Sequence, residues 1–142
     1  MKKLRMLAVV LAVVVLAVLV ASCNWNAAVG TITIVSVVPA AGLTDGNPTD
    51  FTVEVDYSLS GSAKGELNVG FNTNSKDAYT MISSEKVTIS EGTGNHVFTC
   101  NGVVPKDWSG VGGEFKAYVN IAEYPHGSIY LPLDTDYMVL TF

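Results

Sequence analysis

The nine residues FTVEVDYSL, 51 to 59, alternate strictly. Phe51, Val53, Val55, Tyr57 and Leu59 fall on one side, and Thr52, Glu54, Asp56 and Ser58 on the other. A repeat of two fits a strand with one face in a core and one in water, and no helix accommodates it. The same pattern places Leu67, Val69 and Phe71 inward in ELNVGFN, and Val87 and Ile89 in EKVTIS. It does the same for Phe98 and Cys100 in HVFTC, and for Phe115, Ala117, Val119 and Ile121 in EFKAYVNIA. In the closing YMVLTF it predicts Met138, Leu140 and Phe142 inside. Only TITIVSVV, 31 to 38, has apolar residues on both parities, as a strand covered on both faces or switching sheets would.

Segments rich in Gly, Pro, Asn, Asp and Ser separate these runs: PAAGLTDGNPTD, SGSAKG, NTNSKD, SEGTGN, PKDWSGVGG and YPHGS. Such residues turn chains for specific backbone reasons. No segment after residue 30 has a helical period. Seven runs, six of them polar on one face, predict one antiparallel β-sandwich of about seven strands over residues 31–142.

The N-terminus obeys a different rule. Lys2, Lys3 and Arg5 precede MLAVVLAVVVLAVLVA, 6 to 21, which holds no charge. A basic start, a short apolar core and small residues at its end describe a helical secretory signal over residues 1–22. As a spanning helix the run is marginal, at about 24 Å against a hydrocarbon core of about 30 Å. Val20-Ala21-Ser22-Cys23 resembles the lipobox of bacterial lipoproteins: a branched apolar residue, two small ones, then cysteine. The resemblance covers residues 1 to 23. It implies cleavage before Cys23, a diacylglyceryl thioether on its thiol, and retention at the cell membrane or outer membrane. The domain would then face the periplasm or the exterior. Two or more acyl chains hold a protein stably where one does not. Asn24 stands where some Gram-negative lipoproteins carry an inner-membrane retention aspartate, which points to the outer membrane or the outer surface. Residues 23–30 then form the lipidated cysteine and a linker, with NWNAAVG reaching about 25 Å when extended. Trp25 in that linker suits a membrane interface or a loosely packed tether.

A second resemblance rests on IVSVVPAAGLTDGNPTDFTVEVDYSLSG, 34 to 61. It is similar to the opening of bacterial immunoglobulin-like and fibronectin-type-III-like domains: a strand, then Pro and Gly, then a long strand ending in Tyr and Leu. The likeness extends loosely over residues 31–142 and implies that the antiparallel sandwich of about seven strands is immunoglobulin-like, with no activity attached.

Removing residues 1–22 leaves five lysines, no arginine and thirteen carboxylates, a net charge of about −8. Nucleic-acid binding rests on phosphate neutralisation by Lys and Arg, so no nucleic-acid partner is expected. The cysteines do not predict a disulfide, since lipid on Cys23 leaves Cys100 alone as a small buried hydrophobe. No Gly-x-Ser-x-Gly, His-Glu-x-x-His or Cys-x-x-Cys occurs, and His96 and His126 stand outside any motif. His96 starts a strand and His126 reads as a loop tip. Asp45, Asn47 and Asp50, and Asp134 with Asp136, alternate as calcium-loop ligands do without completing a loop. Asx residues in turns ordinarily bond their own backbone. Glu54 and Asp56 belong to a solvent face. No catalytic residue, metal or cofactor is expected.

Two fragments, Asn47-Pro48-Thr49 and Gly110-Val111-Gly112-Gly113, resemble loop motifs of chagasin-like cysteine-protease inhibitors. The family's Arg-Pro-Trp loop is absent, and Asn-Pro-Thr precedes the second strand where the family has it following.

Loop aromatics remain. Tyr79, Trp108, Tyr124 and Tyr130 fall in or beside loops, and aromatics with polar tips suit binding surfaces. Trp108, Tyr124 and Tyr130 are the candidate binding residues, although Trp108 equally suits capping an open end of the sandwich. The sequence therefore predicts a membrane-anchored, non-enzymatic binding or structural module of the cell envelope. Its expected partners are the membrane, through Cys23, and an envelope protein or a glycan. A carbohydrate-binding module using the loop aromatics is the alternative reading, and a protease-inhibitor-like loop binder a more distant one.

Overall fold

The computed structural model describes residues 27–75, 78–103, 114–127 and 129–142, and within these the side chains of all but residues 73–84. The signal segment, Cys23, Trp25 and Trp108 lie outside the described residues, as does the side chain of Tyr79.

The described chain is all β and antiparallel, with no helix. Its strands are β1 (Val29–Val38), β2 (Thr49–Ser75), β3 (Ala78–Val103), β4 (Glu114–Glu123) and β5 (Pro132–Leu140). There are five, where the turn signals predicted about seven. SGSAKG and SEGTGN do not reverse the chain. They bend it inside β2 and β3, which run to 27 and 26 residues. The β2–β3 ladder loses register between Leu59 and Lys64 and resumes beyond it. Gly61 (φ 75°) and Gly92 (φ 126°) mark the corner, with backbone angles that L side chains rarely adopt. The Gly61 N–H donates to Glu91 Oε1 at 3.0 Å, tying one corner to the other.

β3 follows one edge of β2 on both sides of this corner. The opposite edge is shared: β1 takes residues 52–60 and β4 takes 65–74, with β5 outside β4. Because β2 folds over at the corner, its two halves face each other. Phe51 in the first half meets Phe71 in the second with ring centroids 4.7 Å apart, and Phe115 of β4 completes the cluster at 6.1 and 5.9 Å. The molecule is therefore sandwich-like, made from one sheet bent over its own core. The inward parity of every central run holds, from Phe51, Val53, Val55 and Leu59 to Val119 and Ile121. Cys100 is fully buried among them, with its thiol unpaired and its pKa pushed up to about 11, chiefly by burial and then by the charge of Glu85.

Three expectations need correction. β1 starts at Val29, two residues before the predicted start of the domain, because Val29 and Gly30 already pair with Ser60 and Leu59. Apolar residues on both parities of β1 come from a bulge between Ile34 and Ser36. Before it Ile32 and Ile34 point inward, after it Val37 does, and Val35 is left 48% exposed. Phe142, predicted inside, is 46% exposed, since β5 ends at Leu140 and no strand covers the last residue.

β1 has one edge that β2 does not use, and side chains of β5 occupy it. The Ile32 N–H donates to Asp134 Oδ2 at 2.9 Å, and the Ile34 N–H to Asp136 Oδ2 at 2.8 Å. At the other end of the sandwich, the Leu43 N–H donates to the Thr141 carbonyl, and the Thr141 N–H to that of Ala40. Buried Leu43 thereby joins the core at this end.

Candidate functional site

The outer face of β2, beyond the corner, carries Glu66, Asn68, Gly70 and Asn72, the polar partners of the inward Leu67, Val69 and Phe71. By alternation this face should be wet. Glu66 is nevertheless 7% exposed, and Asn120, on the same face of β4, also 7%. The connection between β4 and β5 covers them. Its Tyr130 hydroxyl donates to Asn120 Oδ1 and accepts from the Asn68 amide. Burial, and then the negative charge of Glu66, raise the Tyr130 pKa, while the Asn68 amide opposes them.

His126 stands edge-on to Tyr130 at 5.1 Å and to Tyr124 at 6.3 Å, with Nε2 3.9 Å from Glu66 Oε1. Lys86 Nζ lies 3.3 Å from the same oxygen, but off the hydrogen-bonding direction. Glu66 Oε1 and Asn68 Oδ1 are both buried without an aligned donor. An orphaned acceptor in a dry site costs about 1–3 kcal/mol. Lys86 is the counter-ion of Glu66 Oε1, so Asn68 Oδ1 is the acceptor here without a donor partner, and it suits a group that brings a hydroxyl hydrogen.

Of the predicted binding residues, the structure brings Tyr124 and Tyr130 together on this site. Trp108 lies outside the described residues; the strand ends Val103, paired with Thr49, and Glu114, paired with Asn74, stand at the end of the sandwich opposite Tyr124 and Tyr130. Glu66, Asn68, Asn120 and His126 were not predicted as site residues. Their signal was the stretch YPHGSIYLPL, 124 to 133, which is long for a hairpin and has no Asp, Glu, Lys or Arg. Such a loop must fold back onto something.

The residues tested for other chemistry have structural partners. Asp134 and Asp136 hold β1, as above. Asp50 Oδ1 accepts from the Gly102 N–H at 2.7 Å, and the Asn47 N–H donates to the Thr44 carbonyl in a turn. Asn95 donates to both Glu54 Oε1 and Asp56 Oδ1 on the solvent face. His96 is half-buried against Phe98, 4.6 Å between ring centres. Among the described residues no three His, Cys, Asp or Glu side chains could hold a metal, and no helix is long and apolar enough to cross a membrane. Of the two inhibitor-like fragments, Asn47–Thr49 forms part of that turn and Gly110–Gly113 lies outside the described residues.

No family model matches the chain, and no curated protein does. Three solved structures share part of its outline. Spo0M, a sporulation control protein from Bacillus subtilis, gives a TM-score of 0.46 at 16% identity, over 82% of this chain and 49% of its own. A putative beta-galactosidase from Bacteroides fragilis gives 0.46 at 13% identity, over 80% and 16%. A beta-glucuronidase from glycoside hydrolase family 2 gives 0.45 at 16% identity, over 83% and 11%. The chain thus spans about half of the first and under a fifth of the others. At such TM-scores these likenesses carry neither fold assignment nor activity to this chain.

Proposed function

We propose that this protein is a lipid-anchored module of the bacterial cell envelope that acts by binding. Cys23 carries the lipid, residues 24–28 the tether, and an immunoglobulin-like sandwich the binding surface. The lipobox Val20-Ala21-Ser22-Cys23 and the basic, short signal before it support the anchor. The opening of residues 34–61 supports the immunoglobulin-like reading. The observation that carries the binding role is the convergence of Tyr124, His126 and Tyr130 over buried Glu66 and Asn120 and half-buried Asn68.

Two measurements test this. Cys23→Ser is expected to accumulate as unprocessed precursor and to lose the lipidated, detergent-soluble form. Processing and membrane attachment at the level of the parent chain would refute the anchor. A photoreactive residue at position 124, in intact cells, is expected to capture one dominant envelope component. An even background of captured species would remove the binding face.

The orphaned acceptor favours a glycan as that component. Sugars present many hydroxyl donors around an apolar face, which matches the Asn68 Oδ1 acceptor beside Tyr and His rings. Retention on immobilised cell-wall glycans is then expected, with loss in Tyr124→Ala. Equal retention of the two proteins would exclude this face as the sugar site.

A further inference from the structure

The two most exposed large apolar side chains described are neighbours in one loop, Ile129 at 72% and Leu131 at 70%. Tyr124, at 40%, opens the same loop. Other exposed apolar side chains, such as Val35 and Val97, lie on strands and need no explanation. A pair on a loop tip does need one.

Their position supplies it. β1 enters the domain at Val29, itself 59% exposed, beside that loop. A Cβ on Gly30 would stand 3.0 Å from Ile121 Cγ2 and 3.0 Å from Leu133 Cδ1, side chains just before and just after the loop. The Tyr124 N–H donates to the Lys64 carbonyl at the corner of β2, which forms the same end of the sandwich. From Cys23 to Val29 the chain spans six Cα steps, at most about 21 Å. Whatever surface holds Cys23 is therefore within reach of Ile129 and Leu131.

The charge pattern agrees. In a processed chain of net charge about −8, the ten residues from Tyr124 to Leu133 contain no carboxylate. The apolar tip itself brings no carboxylate toward anionic headgroups, while Glu123 and Asp134 flank the segment on the strands.

We propose that the tip of this loop seats on the lipid bilayer that holds Cys23, with Ile129 and Leu131 entering the headgroup–acyl boundary. This rests on the lipidation proposed above. One lipidated cysteine leaves a domain free to tumble at the end of its tether. A second, apolar contact fixes its orientation, by the same area-dependent burial that holds interfacial helices.

The test uses the full, processed lipoprotein in phosphatidylethanolamine–phosphatidylglycerol vesicles. Acylated Cys23 and buried Cys100 leave an introduced cysteine as the reactive thiol. Nitroxide labels are placed through Ile129→Cys, Leu131→Cys and, at the opposite end, Thr44→Cys. Labels at 129 and 131 are expected to collide several-fold more often with oxygen than with a water-soluble nickel chelate, and the label at 44 to show the reverse. Flotation of the vesicles reads the anchor separately. Protein that floats with labels 129 and 131 as water-exposed as label 44 overturns the seating and leaves the anchor standing. Protein that does not float overturns both.

Discussion

Tyr130 and Cys100 show how much a single residue depends on what covers it. The Tyr130 hydroxyl links Asn68 to Asn120 because a loop brings it there, and strand alternation gave no sign of that cover. Outward Glu66 and Asn120 look like solubilising residues until the loop lies over them. Cys100 was legible, since its parity with Phe98 put it in the core. The structure adds a pH dependence. Its thiol ionises near 9.0 in the unfolded chain and near about 11 in the folded one. Below pH 9 both states keep the proton, and the group leaves stability unchanged. Between pH 9 and 11 the unfolded chain sheds it first, so stability falls as pH rises. The raised Tyr130 adds a loss of the same sign at higher pH. Melting temperature is expected to decline across this interval and less steeply in Cys100→Ala. Equal slopes would place the loss elsewhere. Thiol reagents should reach Cys100 only after unfolding.

At the scale of the element, alternation locates strands better than it counts them. Every predicted run lies in a strand but for the last two residues of YMVLTF, yet SGSAKG and SEGTGN bend strands that their glycines and serines seemed to end. The same residues serve turns and corners, and only the partner strand decides between them. β3 stays beside β2 through the bend, so neither strand stops. Gly92 is the position least replaceable there, at φ 126°. Gly92→Ala is expected to cost more than about 1 kcal/mol, from backbone conformation alone, since its Cβ would meet nothing within 4 Å. Chemical denaturation checks this, and an unchanged midpoint would mean that the corner adapts. Two other glycines act through cross-strand partners. Gly70 pairs with Tyr118 and Gly94 with Tyr57, and each tyrosine ring lies within 3.0 Å of the space a Cβ would take. The rings cover glycines that would otherwise leave gaps in the sheet.

For the molecule as a whole, the bend at residues 60–64 sorts the chain into two ends. One end gathers the start of β1, the corner and the loop from Tyr124 to Leu131. The other gathers the loop 39–48, the C-terminus and the strand ends that bound residues 104–113. Sequence spacing names Tyr124 and Tyr130 as loop aromatics without showing that they share one end, because that depends on β2 folding over. Asp134 and Asp136 act at this scale too. They were candidates for an ion, and they hold the backbone of β1 from across the fold. Replacing both with alanine removes two charge-assisted bonds to N–H groups, an expected loss of about 3–6 kcal/mol together. Urea unfolding reads it directly, and a loss below 1 kcal/mol would mean that water substitutes for both carboxylates.

Those two carboxylates also govern what the protein cannot join. An open strand edge invites another chain to extend the sheet, which is how filaments and swapped dimers begin. Here the inviting N–H groups of Ile32 and Ile34 are already taken, by groups that have no backbone to pass the pattern on. Crowded molecules can therefore stay separate domains, and the Asp134→Ala, Asp136→Ala chain is the one expected to zip its neighbours together.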